Sequence, residues 1–208
     1  MDRRKLAVEL SMLRGFSKPK RFLEQYPTDP ETASSLLWTA FMCGDLEGRV
    51  VADLGCGTGV LSYGALILGA REVLCVDIDA DALNDAKRNL RELSRVHLIL
   101  ADVRSIPLLR VDTVIMNPPF GVVKRGMDLR FLEVALRIAR RAVYTIHKFN
   151  EESHRLIVSK AIESGFSARL IEVRSMFIPA LYETHKRRVH RFRVALYVFK
   201  RVKECGAT

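Results

Sequence analysis

Side-chain amides and paired cysteines are scarce in this chain of 208 residues. Gln25 is the only glutamine, and four asparagines and one tryptophan are present. The cysteines are scattered, without a Cys-x-x-Cys pair: Cys43, Cys56, Cys75 and Cys205. This spacing argues against a zinc site and against a disulfide framework. We therefore expect a reducing, cytoplasmic setting in which most of these cysteines are small buried hydrophobic residues.

Long uncharged runs are also missing. The longest stretch without a charged residue covers residues 54–70 and contains five glycines. It is slightly too short, and too rich in glycine, for a membrane-spanning helix. Charged residues interrupt the apolar positions of the first segment, which does not match a secretory signal peptide. With 49% hydrophobic and 28% charged residues, the composition is that of a folded globular chain.

The positive charge is concentrated in the last part of the chain. The formal net charge is +10, to which residues 1–50 contribute +1, residues 51–120 contribute −2 and residues 121–208 contribute +11. Such asymmetry indicates a polyanionic partner, most simply a nucleic acid. A solvated charged surface is the alternative at this stage.

Short apolar runs alternate with helical segments from residue 50 onwards. We predict strands at residues 50–54, 73–77, 96–100, 111–116 and 142–147, with helices between them. Two long β-like runs, 166–177 and 189–200, follow without an intervening helix and predict an antiparallel edge pair. The pattern predicts an α/β fold with a mostly parallel sheet covered on both faces. Residues 1–46 are predicted to form an arm and helices, and residues 47–208 the main domain, within one compact unit.

A glycine-rich turn follows the first predicted strand, directly after Asp53 and Leu54. It reads Gly55-Cys56-Gly57-Thr58-Gly59, and glycines let the backbone pass close to a ligand. An acid before the turn would repel a pyrophosphate but suits a cationic or zwitterionic ligand. Asp77 ends the next strand, where it can accept from a ribose diol, and Asp102 ends the third, where it can accept from an adenine amino group. Together these acids fit S-adenosylmethionine better than NAD.

A second motif, Asn117-Pro118-Pro119-Phe120, closes the fourth predicted strand. Two successive prolines remove two backbone donors and leave nearby carbonyls as acceptors. The Asn117 amide oxygen and an adjacent carbonyl can then accept both hydrogens of one planar amino group. This arrangement turns the nitrogen lone pair toward a methyl donor and requires no strong base. Phe120 can stack on the face of a base.

The two motifs together resemble those of the class I S-adenosylmethionine-dependent methyltransferases. The resemblance implies a Rossmann-like, three-layer sandwich with a seven-stranded, mostly parallel sheet and an antiparallel edge strand. It also implies that the first acid and the glycine turn hold the methionine part, Asp77 the ribose and Asp102 the adenine. The neighbouring residues expected to complete the cofactor site are Val60, Leu61, Ile78, Val103 and Asn117.

The segment before the first strand makes the resemblance more specific. Residues 18–28 read Lys-Pro-Lys-Arg-Phe-Leu-Glu-Gln-Tyr-Pro-Thr, and over about residues 15–190 the chain resembles the methyltransferase-like protein 5 family and its archaeal relatives. This resemblance implies methyl transfer to adenosine N6 in small-subunit ribosomal RNA. It implies that the segment folds over the cofactor, with Gln25, Tyr26 and Thr28 as contacts. A small zinc-binding activator subunit, the partner of the eukaryotic member, is implied as well.

Other acceptors remain open, because the Asn-Pro-Pro-Phe pattern also resembles enzymes that act on guanine N2 or on glutamine side chains. A guanine N2 RNA methyltransferase is the first alternative. A protein glutamine methyltransferase is less favoured, because that branch usually has tyrosine where Phe120 stands and leaves the basic residues without a purpose. A cofactor-binding rRNA assembly factor without turnover is the non-enzymatic alternative.

Basic residues around the acceptor motif predict the surface that meets RNA phosphates. They lie after the motif, at the end of the fifth predicted strand and in the turn before the last one: Lys124, Arg125, His147, Lys148, Lys186, Arg187 and Arg188. Lys200, Arg201 and Lys203 are more simply explained as a solvated tail. No metal-ligating cluster is expected.

Overall fold

The computed structural model describes residues 1–106, 110–121, 123–179 and 189–202. Its α-helices are α1 (Arg3–Ser11), α2 (Pro30–Met42), α3 (Val60–Ile67), α4 (Ala80–Asn89), α5 (Met127–Ile138) and α6 (Glu151–Glu163). Its strands are β1 (Val50–Leu54), β2 (Glu72–Asp77), β3 (Val96–Leu100), β4 (Val111–Met116), β5 (Ala139–Lys148), β6 (Phe166–Pro179) and β7 (Val189–Arg201). Short 3₁₀ helices cover Arg21–Leu23 and Val103–Ser105. The predicted elements are confirmed to within a few residues.

The seven strands form one sheet in the order β3-β2-β1-β4-β5-β7-β6. Strands β1 to β5 run parallel, and β7 is antiparallel to both of its neighbours, β5 and β6. The mostly parallel sheet with an antiparallel edge strand is therefore confirmed. In the register, Asp53 lies beside Cys75 of β2 and beside Ile115 of β4. The polar residues that end these strands consequently meet at one edge of the sheet, where ligands of such sheets bind.

Helices cover both faces of the sheet and give the three expected layers. One apolar core lies beneath α1 to α4 and includes Leu6, Leu37 and Leu61. The other lies beneath α5 and α6 and includes Leu132 and Ile157. Within the described residues, no helix is both long enough and apolar enough to cross a membrane.

A buried acid, Asp45, closes the amino-terminal end of the parallel strands and is only 1% exposed. The Tyr144 hydroxyl donates to its Oδ2 at 2.7 Å, the Lys200 ammonium pairs with the same oxygen, and Arg141 lies 3.6 Å from Oδ1. The Arg201 guanidinium donates to main-chain carbonyls at the end of α5 and the start of β5. Lys200 and Arg201 therefore tie the last strand to the fold and do not form the expected solvated tail. Lys203 lies outside the described residues.

Candidate active site

A cavity of about 260 Å³ opens at the carboxyl ends of β1, β2 and β4. It is lined by many of the residues selected from the sequence: Gln25, Tyr26, Thr28, Gly55, Cys56, Gly57, Thr58, Val60, Asp77, Ile78, Asp102, Val103, Asn117, Pro119 and Lys124. Some selected residues do not line it: Asp53, Gly59, Leu61, Pro118 and Phe120. The structure thus brings both motifs and the segment before β1 to one cavity.

Several residues that complete the cavity wall were not predicted from the sequence. They are mostly aromatic or aliphatic: Phe16, Phe22, Leu23, Glu24, Arg104, Met127 and Phe131. A single phenylalanine in a sequence is typical of a core position, so these side chains carry no signal of their own. Phe22, Leu23 and Glu24 are different, because they stand inside the segment that made the resemblance specific.

Steric crowding explains why the turn after β1 needs glycine. Gly55 and Gly57 have φ values of +71° and +54°, which side chains rarely adopt. A Cβ on Gly55 would lie 2.9 Å from Cε1 of Phe131, and one on Gly57 would lie 2.8 Å from Cζ of Phe16. The turn is therefore packed closely against two aromatic walls of the cavity.

Cys56 and Cys75 are joined by a disulfide, so the expectation that the cysteines remain unpaired is wrong for these two. Cys56 lies in the glycine turn and Cys75 in the neighbouring strand β2, with their Cα atoms 5.5 Å apart. Parallel pairing brings residues 19 positions apart into this contact, an adjacency that the spacing of cysteines in a sequence does not reveal. Cys43 is free and exposed, and Cys205 lies outside the described residues.

Asp53 lies at the end of β1 beneath the glycine turn and is 1% exposed. Its Oδ2 accepts a hydrogen bond from the Ser62 hydroxyl at 2.7 Å, whereas its buried Oδ1 has no partner among the described residues. Burial raises the pKa of Asp53 from 3.8 to about 7. A buried carboxyl group with an open acceptor oxygen suits a nearby cation, which would restore the ionised form.

The next two acids are engaged in different ways. Asp77 Oδ1 accepts from the Asp79 N–H at 2.9 Å and its Oδ2 from the Gly57 N–H at 2.8 Å, and burial raises its pKa. Each oxygen keeps a further lone pair, so Asp77 can also accept from a diol. Arg104 Nε lies 3.0 Å from both Asp102 oxygens, and this side-chain pairing lowers the Asp102 pKa. An amino group that binds to Asp102 would therefore share the Asp102 carboxylate with Arg104.

The segment before α2, residues 17–29 (hereafter the arm), is fastened to the start of α4. Gln25 is 7% exposed, its Nε2 donates to Asp79 Oδ2 at 2.8 Å, and its Oε1 accepts from the Lys20 N–H at 2.8 Å. The Lys20 ammonium pairs with Asp79 and lies 2.9 Å from Asp81 Oδ2. Gln25 therefore holds the arm in position in addition to lining the cavity.

Tyr26 directs its ring toward the acceptor motif. The ring centroids of Tyr26 and Phe120 are 5.2 Å apart. The Tyr26 hydroxyl is buried and has no partner within the described parts of the chain. Burial, reinforced by the Glu24 carboxylate, raises its pKa well above the ordinary value. The phenol therefore stays protonated near neutral pH and offers a hydrogen-bond donor at the cavity.

Asn117 is oriented by the arm. Its Nδ2 donates to Thr28 Oγ1 at 3.0 Å, which leaves Oδ1 buried and without a partner among the described residues. The Phe120 ring lies 5.2 Å from both the Tyr26 and the Phe192 rings, and Phe192 was not singled out from the sequence. The amide oxygen of Asn117 is thus available to an incoming amino group, with an aromatic cluster beside it.

Comparisons with known proteins agree with this geometry. Residues 28–147 match the family model of the methyltransferase small domain, and the chain is 40% identical to the rRNA N(6)-adenosine-methyltransferase Mettl5 of Drosophila melanogaster over 95% of both chains. The chain belongs to the METTL5 family of methyltransferases. It is also 40% identical to METTL5 of Danio rerio, over 90% of this chain and 93% of the relative. The crystal structure of PH1948 from Pyrococcus horikoshii, a candidate RNA methyltransferase, has a TM-score of 0.91 at 43% identity, over 97% of this chain and 98% of that one.

The basic residues predicted around the methyltransferase site are only partly at its surface. Lys124, Arg125 and Lys148 are exposed, and Lys124 also lines the cavity. Arg193, which the selection omitted, is exposed at the end of β7 nearest the site, with its guanidinium 4.7 Å from the Phe149 ring centroid. The cluster Lys186-Arg187-Arg188 lies outside the described residues. Of these exposed cations only Lys124 lines the cavity, while Lys148 and Arg193 lie at neighbouring positions where β5 ends beside β7.

His147 departs from the expectation, because it is fully buried and is not accessible to a phosphate. Strand β5 lies inside the sheet, and His147 shares the sheet face that α5 covers. Its Nδ1 is 3.7 Å from Asp128 Oδ2, and neither ring nitrogen has a hydrogen-bond partner among the described residues. The position at a strand end suggested exposure, whereas the residue alternation along a doubly covered strand determines burial.

Proposed function

We propose that this chain transfers the methyl group of S-adenosylmethionine to N6 of an adenosine in small-subunit ribosomal RNA. The Drosophila and Danio relatives are rRNA N(6)-adenosine-methyltransferases, which supports the adenosine and the rRNA. The observation that carries the proposal is the buried Asn117 Oδ1, an unpartnered acceptor among the described residues that Thr28 orients beside the cavity.

The residues of the cavity fit S-adenosylmethionine. When bound, this cofactor supplies an electrophilic methyl group on a positively charged sulfur. Gly55 and Gly57 line the cavity, so their main chain can approach the methionine part of the cofactor closely. The Asp53 carboxyl group beneath the turn offers a negative charge to the cationic groups of the cofactor. Asp77 keeps lone pairs for the ribose, and the apolar side chains Phe16 and Phe131 exclude water from the wall.

The chain's own residues account for the acceptor chemistry. Asn117 Oδ1 accepts one hydrogen of the adenine amino group, and a main-chain carbonyl beside the two prolines accepts the other. These bonds favour a pyramidal nitrogen whose lone pair is free to attack, so positioning provides most of the catalysis. Phe120, held between Tyr26 and Phe192, gives an aromatic surface for a base that is unpaired or flipped out of its helix.

Product analysis tests the proposal. A small-subunit rRNA transcript is incubated with the chain and labelled S-adenosylmethionine, then digested to nucleosides. We expect N6-methyladenosine; methyl groups on guanine alone would contradict the adenosine proposal and favour the guanine N2 alternative. Asn117→Ala should lower the rate of transfer at saturating cofactor by about 100-fold or more. Asn84→Ala, at an exposed position of α4, is the matched control and should keep full activity.

The same variant separates catalysis from an assembly role. If Asn117→Ala abolishes methylation while ribosome assembly in cells remains normal, the binding of the chain to rRNA is more important for assembly than methyl transfer. If methylation and cellular function both survive the substitution, the catalytic assignment fails.

RNA contact at the rim is part of the proposal. Lys124, Arg125, Lys148 and Arg193 are exposed, and Lys124 lines the cavity. These cations suit a phosphate backbone that approaches from the side of the acceptor motif. We also propose that residues 1–46 act as the cover of the cofactor site and residues 47–208 as the methyltransferase domain, and that the chain works on its rRNA in the cytoplasm.

A small zinc-binding activator subunit is proposed as a partner at β3. This strand lies at an edge of the sheet, and Leu100 at its end is 61% exposed. An edge strand can receive a strand from another chain. Purification from the native source is the test: an activator that copurifies supports the proposal, and recovery of the 23.6 kDa chain alone would argue against an obligate complex.

A further inference from the structure

Successive residues of the arm contact opposite sides of the active site. Glu24, Tyr26 and Thr28 contact the acceptor motif or the loop after it. Gln25, which stands between them, contacts Asp79 on the cofactor side. The chain turns at Glu24, which directly follows the 3₁₀ helix Arg21–Leu23, and the side chains of Glu24 and Gln25 reach different partners. The arm therefore contacts both the cofactor side and the acceptor side of the active site.

On the cofactor side, hydrogen bonds connect the arm to the acid assigned to the ribose. Gln25 and Lys20 both bind the carboxylate of Asp79, which is 4% exposed. The main-chain N–H of Asp79 in turn donates to Asp77 Oδ1 at 2.9 Å. Any ligand that orders Asp77 and the start of α4 consequently also orders the arm.

On the acceptor side, the outermost contact is made by Glu24. Its Oε1 accepts the Val123 N–H at 2.6 Å, a bond that spans 99 residues of sequence. Glu24 follows the 3₁₀ turn Arg21–Leu23 with a φ of +54°, in the left-handed region that disfavours side chains. This backbone conformation directs the carboxylate across the mouth to the loop that carries Lys124 and Arg125.

We propose that Glu24 is a positioning residue that couples the two sites: its hydrogen bond to Val123 fixes the loop after the acceptor motif to the arm, so that cofactor binding also prepares the loop that receives RNA. This inference rests on the proposed function for the identity of the two ligands. Ordering a loop has an entropic cost, and this cost is smaller for RNA that binds to a loop that is already ordered. Cofactor and RNA should therefore bind with positive cooperativity, and each should strengthen the other by the same factor.

The coupling factor is measured by RNA binding with and without cofactor product. The probes are a small-subunit rRNA transcript and S-adenosylhomocysteine at saturation. We expect the unaltered chain to bind the transcript on the order of tenfold more tightly when the product is present. Glu24→Ala should reduce this factor to near one by weakening only the affinity measured with product, and should leave the affinity without product nearly unchanged.

Three further variants make the result specific to the hydrogen bond. Glu24→Gln retains an acceptor oxygen and should keep most of the coupling. Glu24→Gly removes the carboxylate while relieving the backbone conformation, so it should lose coupling without loss of thermal stability. Glu92→Ala removes an equal charge from an exposed site and should retain the coupling.

A kinetic measurement distinguishes positioning from a general structural role. At saturating S-adenosylmethionine, Glu24→Ala should raise KM for the transcript on the order of tenfold and change kcat much less. The proposal is overturned if the unaltered chain shows no coupling, if Glu24→Ala keeps it, or if Glu24→Gln loses as much as Glu24→Ala. Methylation of guanine in place of adenine would refute the proposed function and leave the coupling intact, so the two failures are distinguishable.

Discussion

Replacing Asp53 by asparagine should remove a pH-dependent loss of stability and leave the side-chain shape almost unchanged. Asp53 is 1% exposed, and one of its oxygens has no partner among the described residues. Asparagine can still accept the hydrogen bond from Ser62, but it carries no charge at any pH. Its amide N–H₂ would occupy the unpartnered position and add a destabilisation that does not vary with pH. The slope of stability against pH is therefore the informative quantity.

The sign of the effect follows from proton binding. Burial raises the Asp53 pKa from 3.8 to about 7, so between these values the folded chain holds a proton that the unfolded chain has released. The free energy of unfolding therefore falls as pH rises. The stabilisation from protonated Asp53 is fully present below about pH 4 and is lost as pH rises through about 7, a difference of roughly 4 kcal/mol. Burial also raises the pKa of Asp77. Asp77 therefore adds a pH dependence of the same sign to the stability of the unaltered chain and of Asp53→Asn.

Urea unfolding without cofactor, at steps from about pH 4.5 to about pH 8, gives the measurement. The stability of the unaltered chain minus that of Asp53→Asn should decrease by roughly 3 to 4 kcal/mol across this range. Asp2→Asn serves as a control: the Lys5 main-chain N–H lowers the Asp2 pKa from 3.8, so Asp2 is ionised in the folded and the unfolded chain over this whole range, and the stability difference for this variant should stay nearly constant. Parallel pH profiles for the unaltered chain and Asp53→Asn would refute a raised Asp53 pKa.

Three further predictions concern packing, the turn and the rim. Tyr144→Phe removes the buried hydrogen bond to Asp45 and should lower the free energy of unfolding by about 2 kcal/mol in urea, with transfer activity unchanged. Gly57→Ala should weaken cofactor binding about tenfold or more in calorimetry, because the new Cβ meets a cavity wall; Gly48→Ala, at a φ of +69° in open space, should leave cofactor affinity unchanged. Lys124→Ala should reduce the slope of log affinity for RNA against log salt by about 0.7.

Local patterns predicted the fold well because the central parallel strands are buried on both faces. Strands β1 and β4 begin and end where the apolar runs of the sequence do, since a fully buried parallel strand has no need for alternation. Asp77 and Asn117 stop the apolar runs of their strands, and both line the cavity at this edge of the sheet. The architecture and the position of the cavity could therefore be predicted from the sequence, whereas the roles of these residues stay predictions.

Side-chain partners were not predictable, because they depend on contacts between distant segments. Asp102 pairs with Arg104, Gln25 binds Asp79, and His147 is buried beneath α5. In each case the residue type and its strand position were compatible with exposure to a ligand. What decides its partner is which side chain the tertiary fold brings next to it, and sequence spacing carries no information on this.

The charge pattern of the sequence acquires a different meaning once partners are known. Residues 51–120 sum to −2 and residues 121–208 to +11, a pattern that indicated a polyanionic partner for the last part of the chain. Yet Lys200 pairs with the buried Asp45 at the far end of the sheet, and Lys20 of the arm pairs with both Asp79 and Asp81. The net charge of a sequence segment therefore overstates the number of cations that are available to RNA. It also does not reveal that a lysine of the arm is paired with acids at the start of α4. The cofactor side and the acceptor side of the cavity are not independent, since the arm contacts both. Its Thr28 orients the side-chain amide of Asn117, which is proposed to bind the substrate amino group.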